Sequence, residues 1–278
     1  MADLINDDFR ALYQDVIELV LEHGRQVAPR GQHTLELPAA TLRLTGLSEG
    51  RAAMPLGMGR KAHPGIGAVE ALQLIAGEQH PELMRRIAPN FGRFMDGGAF
   101  HGSYGERLRG QLEAAVLRLK SDAHSRQAVL QIWDPARDLY VEGLRDYPCT
   151  IFLQLLLRDG ALELHAHMRS NDVWWGLAYD AFQFTQLQHT LAHVLGVPTG
   201  DYFHHAASLH LYARDQEAAA ELLREWPIEG ELPAVMGVGG IDLEAARHRA
   251  REVLRGRLAP DGHAGLTWLH AQVDRHQP

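Results

Sequence analysis

Two apolar runs in the middle of the chain, at 150–157 and 161–168, constrain its fold more than any other feature. Only Arg158-Asp159-Gly160 separates them, and an Asp-Gly pair between such runs is typical of a β-hairpin. The next apolar segment, 172–195, has helical periodicity and ends before Gly196. It predicts a long buried helix. A hairpin beside a buried helix favours an α/β domain.

Helices and strands are predicted along much of the remaining chain from the period of the apolar residues. The segment 46–67 is rich in Gly, Pro and Met and is predicted to be loop. Gly24 and Gly77 are predicted to end helices. The other predicted elements are helices at 9–22, 68–76, 107–120, 216–224 and 243–257, and strands at 33–44, 128–133 and 202–212.

Length, charge and cysteine content exclude several classes of protein. The chain has 278 residues, a formal net charge of −8 and one cysteine, so we expect a single domain over 1–278. The acidic balance argues against a nucleic-acid partner, and one cysteine rules out an intrachain disulfide framework. The sequence shows neither a signal-peptide pattern nor a run of roughly 20 apolar residues that could span a bilayer. We therefore expect a cytoplasmic protein with no membrane partner.

Cys149 is the candidate nucleophile. It follows Pro148, and Arg169 comes directly after the second apolar run. The thiolate, not the thiol, is the reactive form of cysteine, and a nearby cation lowers the thiol's pKa. Arg169 is the candidate for that cation. A lone cysteine is more often a small buried apolar residue, and only the surrounding motif favours the catalytic interpretation.

The motif around Cys149 is part of an ordered series of residues along the chain. The series is Arg30, Glu70, Tyr104-Gly105, Ser125-Arg126, Pro148-Cys149, Gln154, Arg169-Ser170-Asn171-Asp172, Gly176, Gly200-Asp201 and His210-Leu211-Tyr212. In order and spacing it resembles the thymidylate synthase family. The resemblance is specific from Ser125 to Tyr212, and weaker matches upstream extend it to about residues 7 to 215. The region from about 225 onward is divergent.

The resemblance implies a thymidylate synthase-like α/β (α+β) fold. In that fold a large mixed β-sheet is flanked by helices, and two chains form a homodimer sheet to sheet. The resemblance also implies a folate-dependent reaction on a pyrimidine nucleoside monophosphate. The Cys149 thiolate would add to C6, which makes C5 nucleophilic toward the one-carbon unit of 5,10-methylenetetrahydrofolate. No metal is expected.

The same resemblance assigns roles to individual residues. The expected catalytic residues are Cys149, Glu70, Arg169, Asp180 and Tyr104. Asp172 and Gly176 are expected to contact the folate. The expected nucleotide-binding residues are Arg30, Arg126, Gln154, Arg169, Ser170, Asp180, His210 and Tyr212, with Arg126 reaching the phosphate from the partner subunit so that the two chains share each phosphate site.

Asp180 occupies a position where thymidylate synthases have asparagine. An amide can donate to uracil O4 and accept from N3–H, whereas cytosine presents an amino donor at C4 and an acceptor at N3. A carboxyl group can accept from that amino group and, when protonated, donate to N3. The deoxycytidylate hydroxymethylases of this superfamily carry aspartate here, and Ser170 is the residue found in its deoxynucleotide enzymes. The sequence therefore predicts dCMP as the substrate.

The fate of the transferred carbon stays open in the sequence. Thymidylate synthases reduce the methylene to a methyl group, whereas hydroxymethylases add water to it. Hydration is favoured by Asn90 in place of the family's tryptophan, Thr150 in place of its histidine, and an unrecognisable tail at 270–278. The prediction is a dCMP hydroxymethyltransferase. The alternatives are a dCMP C5-methyltransferase, a CMP hydroxymethylase and a non-catalytic nucleotide-binding relative, the last because Gln127 and Ser208 replace the family's arginine and aspartate.

Two pairs of histidines and a glycine-rich segment are further candidates. His165 and His167 lie two apart on a predicted strand, and His204-His205 are adjacent. Two histidines on one face can bind zinc, but no third ligand lies at a recognisable spacing, so no metal site is predicted. Gly237-Val238-Gly239-Gly240 lacks the strand that precedes a phosphate loop and is predicted to be ordinary loop.

Overall fold

The structure, a computed structural model, describes residues 2–47, 63–225, 237–240, 242–257 and 263–275. Most of the loop predicted at 46–67 and the last residues of the predicted tail lie outside these ranges. The strands are β1 (Ala2–Asn6), β2 (Arg25–Val27), β3 (Thr34–Leu44), β4 (Val129–Gln131), β5 (Thr150–Arg158), β6 (Ala161–Met168), β7 (Asn171–Asp172) and β8 (Thr199–Tyr212). The helices are α1 (Phe9–His23), α2 (Pro64–Ala76), α3 (Pro81–Ile87), α4 (Tyr104–Leu108), α5 (Gln111–Ser121), α6 (Pro135–Asp138), α7 (Leu177–Leu195), α8 (Gln216–Arg224), α9 (Leu243–Leu254) and α10 (Ala264–Asp274).

One mixed sheet organises the domain. Its strands run in the order β1-β3-β8-β6-β5-β4, with β2 beside β3 and β7 beside β8. The pairs β1–β3, β6–β8 and β7–β8 are parallel, and the remaining pairs are antiparallel. The predicted α/β class, with a mixed sheet flanked by helices, is confirmed.

The predicted hairpin is formed by β5 and β6. Asp159 and Gly160 have φ angles of 49° and 77°, and positive φ at both central residues is the geometry of a type I′ turn, whose twist matches that of the two strands. At the open end of the hairpin, Thr150 pairs with Met168. The residues just outside that pair, 149 and 169, are therefore brought side by side.

Helix α7 lies at the centre of the core. Its residues are buried from Leu177 through Ala192, and it packs against β6 and β8 on one side and α2 on the other. Helix α2 packs in turn against α9 and α10. A polar side chain inside this core, Gln188, donates to the carbonyl oxygens of Leu162, Gly200 and Asp201, which ties α7 to the sheet without leaving its amide N–H groups unpaired.

The face of the sheet opposite α7 is only half-buried. Along β5, Leu153 and Leu155 are buried while Phe152 and Gln154 are not, as expected for the alternating faces of a strand. Aromatic and imidazole rings stack side by side across this face, from Phe152, His167, His205, His165 and Phe203. Three of the four histidines considered as metal ligands are thus part of a stack of rings.

Two predicted helices have different bounds in the structure. The segment 107–120 is divided, because α4 ends at Leu108 and α5 begins after Gly110. The helix predicted to begin at residue 68 begins earlier, at Pro64. Proline is favourable in the first turn of a helix, where its missing N–H has no partner to lose. Because Gly65 and Gly67 follow Pro64, the first turn of this helix was predicted to be loop.

The helix predicted at 172–195 is shorter than expected. Asn171 and Asp172 form strand β7, paired with β8, and α7 begins only at Leu177. Pairing with a distant strand cannot be recognised from the local apolar period, which is why the prediction began the helix too early. Gly196 ends α7 in the left-handed conformation, as predicted.

The other predicted elements are confirmed to within a few residues, and several short elements were missed. Strand β1 is a run of five residues that pairs in parallel with β3, and its sequence alone gave no strand pattern. Helices α3 and α10 were also missed. Among the described residues, no helix is both long and apolar enough to cross a bilayer.

Candidate active site

A cavity of about 250 Å³ lies where the open end of the β5–β6 hairpin meets helices α2, α4 and α7. Four of the five predicted catalytic residues line it: Glu70, Tyr104, Cys149 and Asp180. They come from segments far apart in the sequence. The structure therefore brings together side chains that the sequence could only place in order along the chain.

Arg169, the fifth predicted catalytic residue, is held beside Cys149 by hydrogen bonds. Its backbone N–H donates to the carbonyl oxygen of Cys149 across 2.9 Å. Its guanidinium donates from Nε to the Pro148 carbonyl oxygen (2.9 Å) and from Nη2 to the Tyr147 carbonyl oxygen (3.4 Å). The guanidinium carbon lies 5.1 Å from the centre of the Trp133 ring, within range of a cation–π interaction. The cation is thus fixed next to the thiol.

Burial dominates the electrostatics of Cys149 and raises the pKa of its thiol to about 11. Arg169 lowers this pKa, as predicted, while the carboxyls of Asp180 and Asp146 raise it further. The thiol is therefore protonated at neutral pH in the chain without substrate. The sequence indicated the activating cation but not the burial that outweighs it.

Glu70 lies within α2, past its first turn, because the helix begins at Pro64 and not at residue 68 as predicted. Among the described residues its Oε2 is buried and accepts no hydrogen bond. Burial raises the pKa of Glu70 to about 8, and the nearby carboxyls of Asp180 and Asp146 contribute to the shift. A buried carboxyl that titrates near neutral pH is suited to proton transfer.

Tyr104 begins α4 and closes the cavity beside Cys149. The backbone N–H of Thr150 donates to its hydroxyl oxygen across 3.4 Å, and its ring stacks on Phe184 with centroids 6.0 Å apart. Burial holds the pKa of Tyr104 well above its usual range, so the phenol stays a hydrogen-bond donor. Thr150 itself is buried, and its hydroxyl donates to the Met168 sulfur, away from the cavity.

Asp180 lies in the first turn of α7 and is 8% exposed. Both of its carboxyl oxygens accept hydrogen bonds from side-chain amides: Oδ2 from Asn171 Nδ2 at 2.7 Å and Oδ1 from Gln183 Nε2 at 3.2 Å. Burial raises the pKa of Asp180 to about 7, and these two hydrogen bonds oppose the shift. Both protonation states are therefore populated near neutral pH.

Asp172, the last residue of β7, and Gly176, directly before α7, are the predicted folate-contacting residues. Asp172 Oδ1 accepts from the backbone N–H groups of Trp174 and Trp175, at 2.8 and 3.3 Å, and so stabilises this turn. A Cβ on residue 176 would lie 3.1 Å from Nδ2 of Asn171 and 3.0 Å from the Asp172 carbonyl oxygen. Glycine at 176 leaves the space in which the Asn171 amide reaches α7.

His210 and Tyr212, predicted to bind the sugar, lie two apart on β8 and present their rings on the same side, with centroids 5.2 Å apart. His210 pairs in register with Asp172 of β7. Ser170 is half-buried and follows Arg169 directly. Ser170 thus lies in the segment that leads from Arg169 into α7, and His210 lies beside that segment. None of the three residues lines the cavity.

Three predicted nucleotide-binding residues lie apart from the cavity lining. Arg30 is exposed in a short turn, with a φ of 52°. Arg126 is exposed as well, and its carbonyl oxygen accepts from Nε2 of Gln154 at 2.9 Å. Gln154 lies on the half-buried face of the sheet. Arg126 and Gln154 are thus placed at the surface that faces away from α7.

The sequence-based prediction missed one wall of the cavity and a further acid. Phe91, Phe94 and Phe100 line the cavity and meet edge to face, with centroid distances of 5.8 and 6.4 Å around Phe91. Asp146 also lines it, accepts from the backbone N–H of Gly102 at 2.9 Å and has a pKa raised by burial. Phe91 directly follows Asn90, and Phe94 and Phe100 lie a few residues further along the chain. This group of aromatic residues was the signal available in the sequence.

Metal ligands are not grouped in the described part of the chain. No set of three or more His, Cys, Asp and Glu side chains there is arranged to hold a metal ion. The described segment Gly237–Gly240 has no regular secondary structure, as predicted, and the N–H of Gly237 donates to the Gln186 side chain. These glycines pack against the core.

The structure combines a mixed sheet flanked by helices with a cysteine directly before hairpin strand β5. An arginine directly after β6 lies beside that cysteine. The model of the thymidylate synthase family matches residues 11–236, which is most of the chain. The chain belongs to the thymidylate synthase family.

Two phage proteins are among its relatives. A protein of Bacillus phage SP01 named deoxyuridylate hydroxymethyltransferase is 31% identical over 224 residues, covering 74% of this chain and 58% of the phage protein. A protein of Pseudomonas phage M6 with the same name is 34% identical over 164 residues, covering 55% and 46%. A putative thymidylate synthase of Methanothermobacter thermautotrophicus is 32% identical over 134 residues, covering 46% and 59%. The matched part of the chain spans about half the length of these relatives.

Proposed function

We propose that the chain transfers a one-carbon unit from 5,10-methylenetetrahydrofolate to C5 of dCMP and that its product is 5-hydroxymethyl-dCMP. The observation that carries the proposal is the cavity lined by Cys149, Glu70 and Asp180, with Arg169 fixed against the cysteine. Membership of the thymidylate synthase family supports the class of reaction. The names of the two phage relatives support the hydroxymethyl product.

The first chemical step is addition of Sγ of Cys149 to C6 of the pyrimidine. The Sγ–C6 bond forms, the electrons of the C5–C6 double bond move toward C5, and the thiol proton leaves to a base. Because burial keeps the thiol protonated, this proton transfer has to accompany substrate binding. Glu70 has a pKa of about 8, so it can accept and return protons at little cost near neutral pH.

The remaining steps restore the ring. The folate supplies one carbon at the oxidation level of a methylene group. Once C5 has gained that carbon, the C5 proton leaves and the bond from the new carbon to the folate nitrogen breaks, which releases tetrahydrofolate and leaves an exocyclic methylene on the ring that is still bonded to Sγ. Water then adds to the exocyclic methylene to give the alcohol. Breaking of the Sγ–C6 bond restores the C5–C6 double bond, and Sγ takes up a proton, which regenerates the thiol of Cys149. In sum, dCMP, methylenetetrahydrofolate and water become hydroxymethyl-dCMP and tetrahydrofolate, with no net oxidation or reduction.

The cavity suits a folate ring on its apolar side. Phe91, Phe94 and Phe100 form a wall of aromatic faces and edges, against which a planar heterocycle can pack. By resemblance to the family, Asp172 and Gly176 would contact the pterin. Asn90, at the position of the family's tryptophan, is exposed and directly precedes Phe91 in the sequence. A small polar residue there in place of a large aromatic ring favours access of water over hydride transfer.

Asp180 is the reason for proposing cytosine as the base. Its two protonation states near neutral pH let it accept from the C4 amino group and donate to N3. The two phage relatives are named for deoxyuridylate, so the proposal departs from their names at the base. That departure rests on the aspartate in this chain at the position where the synthases have asparagine.

A homodimer completes the proposal. The half-buried face of the sheet carries Arg126, Gln154 and the stack of aromatic and imidazole rings. By resemblance to the family, a second chain would cover this face, and Arg126 of the partner subunit would reach the phosphate. Sedimentation equilibrium tests this part separately, and a monomer at micromolar concentration would contradict it.

The test of the proposed function is incubation with methylenetetrahydrofolate and each of dCMP, CMP and dUMP. Release of the C5 proton and the mass of the product are measured. We expect dCMP to react about 10- to 100-fold faster than dUMP, the discrimination that one unmatched buried polar pair provides, and to gain a hydroxymethyl group. A methyl product with dihydrofolate would reassign the chain as a methyltransferase. Tight nucleotide binding without proton release would indicate a non-catalytic relative.

A further inference from the structure

A buried chain of polar side chains ends on Asp180. The Tyr202 hydroxyl oxygen lies 2.7 Å from His204 Nδ1, and His204 Nε2 lies 3.2 Å from Asn171 Oδ1. The Asn171 amide then donates from Nδ2 to Asp180 Oδ2 at 2.7 Å. We call Tyr202, His204 and Asn171 the relay. Their exposed fractions are 2%, 1% and 1%, so water does not compete for these hydrogen bonds.

The fold fixes the relay from two strands. Tyr202 and His204 lie two apart on β8, so both point to the face covered by α7. Asn171 lies on β7, paired in register with Leu209 of the same β8 strand. Gly176 leaves room for the Asn171 amide beside the first turn of α7. All three relay residues thus lie on strands of the sheet. Asp180, at the end of the relay, lies on helix α7.

Only one direction of donation satisfies every group in the relay. Burial lowers the pKa of His204 to about 3, so the imidazole is neutral and has one donor and one acceptor nitrogen. Because Asn171 Oδ1 can only accept, His204 carries its proton on Nε2. Its Nδ1 then accepts from the Tyr202 hydroxyl.

This direction of hydrogen-bond donation determines which side chain fits at position 180. Asn171 donates to one oxygen of Asp180 and Gln183 donates to the other. A carboxyl accepts both hydrogen bonds. An asparagine amide would place its NH₂ group against a donor in either orientation, which leaves a buried donor without a partner. The surroundings of residue 180 are therefore matched to an acid.

We propose that the relay selects the base by fixing Asp180 Oδ2 as an acceptor. The hydrogen bond from Asn171 is shorter than the one from Gln183, so the proton of the neutral acid resides on Oδ1. Asp180 then presents one acceptor and one donor, which complement the C4 amino group and N3 of cytosine. This inference rests on the proposed function, because it explains how that function chooses its base.

The test compares two Tyr→Phe variants. Tyr202→Phe removes only the hydroxyl that fixes the His204 tautomer. Tyr13→Phe is the matched control, because Tyr13 is also buried and donates one hydrogen bond, to the Val173 carbonyl oxygen at 2.9 Å. The ratio of kcat/KM for dCMP over dUMP is measured for both. We expect Tyr202→Phe to lower this ratio about tenfold, the effect of losing one buried hydrogen bond, and Tyr13→Phe to leave it within about twofold of wild type.

The second variant acts at the other end of the relay. Asn171→Ala removes the donor to Asp180 Oδ2 directly, so we expect it to lower the dCMP/dUMP ratio at least as much as Tyr202→Phe. A ratio unchanged in both variants, with wild type still preferring dCMP, would overturn the relay and leave the proposed function intact. Wild type that turns over neither nucleotide would overturn the proposed function.

A measurement without substrate tests the relay independently of activity. In chain labelled with ¹⁵N-histidine, the signals of His204 are assigned by their loss in His204→Gln. We expect a neutral ring protonated on Nε2 at neutral pH, and a shift of population toward the Nδ1–H form in Tyr202→Phe but not in Tyr13→Phe. A wild-type ring protonated on Nδ1, or a charged ring, would overturn the inference whatever the enzyme assays give.

Discussion

The backbone N–H of Arg169 donates to the carbonyl oxygen of Cys149 across 2.9 Å, and this hydrogen bond closes the open end of the β5–β6 hairpin. The register of the hairpin therefore places the two residues side by side, and the hydrogen bonds from the guanidinium to the Pro148 and Tyr147 carbonyl oxygens hold the cation there. The type I′ turn at Asp159-Gly160 fixes the register from Arg158–Ala161 to Phe152–His167. A register shift between Phe152 and Thr150 then brings Cys149 opposite Arg169. The turn and this irregularity together place the proposed nucleophile and the arginine side by side.

Replacement of Cys149 tests covalent catalysis. Cys149→Ala removes the proposed nucleophile from a partly exposed position, so we expect the fold to persist and C5 proton release to fall at least about 1,000-fold, as for loss of a covalent catalyst. Circular dichroism and the melting temperature check the fold. Proton release at near the wild-type rate would refute attack by this thiol.

Arg169→Lys tests the electrostatic role of the arginine. A lysine cannot make the two guanidinium hydrogen bonds to the Pro148 and Tyr147 carbonyl oxygens, so its charge is less well held beside Cys149. Because Arg169 lowers the thiol's pKa, the variant should have less thiolate and react more slowly with iodoacetamide at pH 8, by about 3- to 10-fold.

The single cysteine makes this alkylation rate easy to assign. Arg158→Lys is the control, because its Nη1 donates to the carbonyl oxygen of its own neighbour, Leu157. We expect that variant to alkylate at the wild-type rate. An Arg169→Lys variant that alkylates faster than wild type would contradict the assigned role.

Glu70 should make the stability of the chain depend on pH. The ordinary glutamate pKa is 4.5, and burial raises that of Glu70 to about 8. Between these values the unfolded state has lost a proton that the folded state keeps. The stabilising contribution is fully present below about pH 4.5 and is lost as the pH rises through about 8.

A glutamine at position 70 cannot ionise, so the Glu70→Gln variant does not lose this contribution to stability as the pH rises. We expect its free energy of unfolding, relative to wild type, to increase by at least about 2 kcal/mol between pH 5 and pH 8, since each unit of pKa shift corresponds to about 1.4 kcal/mol. Denaturant titrations at several pH values measure the difference. Glu82→Gln, an exposed site on α3, should show no such trend, and a Glu70→Gln curve parallel to wild type would contradict the raised pKa.

Asp180→Asn tests the base and its surroundings together. We expect kcat/KM for dCMP to fall about 100-fold, because the amide cannot both accept from the C4 amino group and donate to N3 while it faces two protein donors. For the same reason, dUMP should gain less than about tenfold. A complete exchange, with dUMP preferred as strongly as wild type prefers dCMP, would show that Asn171 and Gln183 do not constrain residue 180.

The sequence predicted the elements whose signals are local. Asp159-Gly160 indicates its own turn, Gly77 and Gly196 end their helices as expected, and the order of motif residues identified Cys149 as part of a site. The start of α7 was predicted too early, because strand β7 exists only through pairing with β8. Interactions between distant segments leave no local pattern.

The parts of the site that the sequence did not indicate depend on burial and on distant neighbours. In the sequence, His204 is recognisable only as one of two adjacent histidines. Its contact with Asn171 joins strand β8 to strand β7. The pKa of Cys149 is set chiefly by burial, which the sequence does not display. The cavity wall of Phe91 and its neighbours could have been suspected from their spacing but not placed.

The most direct test of the account is the mass of the intact chain after incubation with methylenetetrahydrofolate and 5-fluoro-dCMP. Fluorine at C5 cannot leave as the proton does, so the bond from Cys149 to C6 stays in place. We predict a covalent increment equal to nucleotide plus cofactor in wild type, none in Cys149→Ala, and far less with 5-fluoro-dUMP. A wild-type chain that gains no mass, or an adduct that survives in Cys149→Ala, would contradict covalent attack by this cysteine on a cytosine nucleotide.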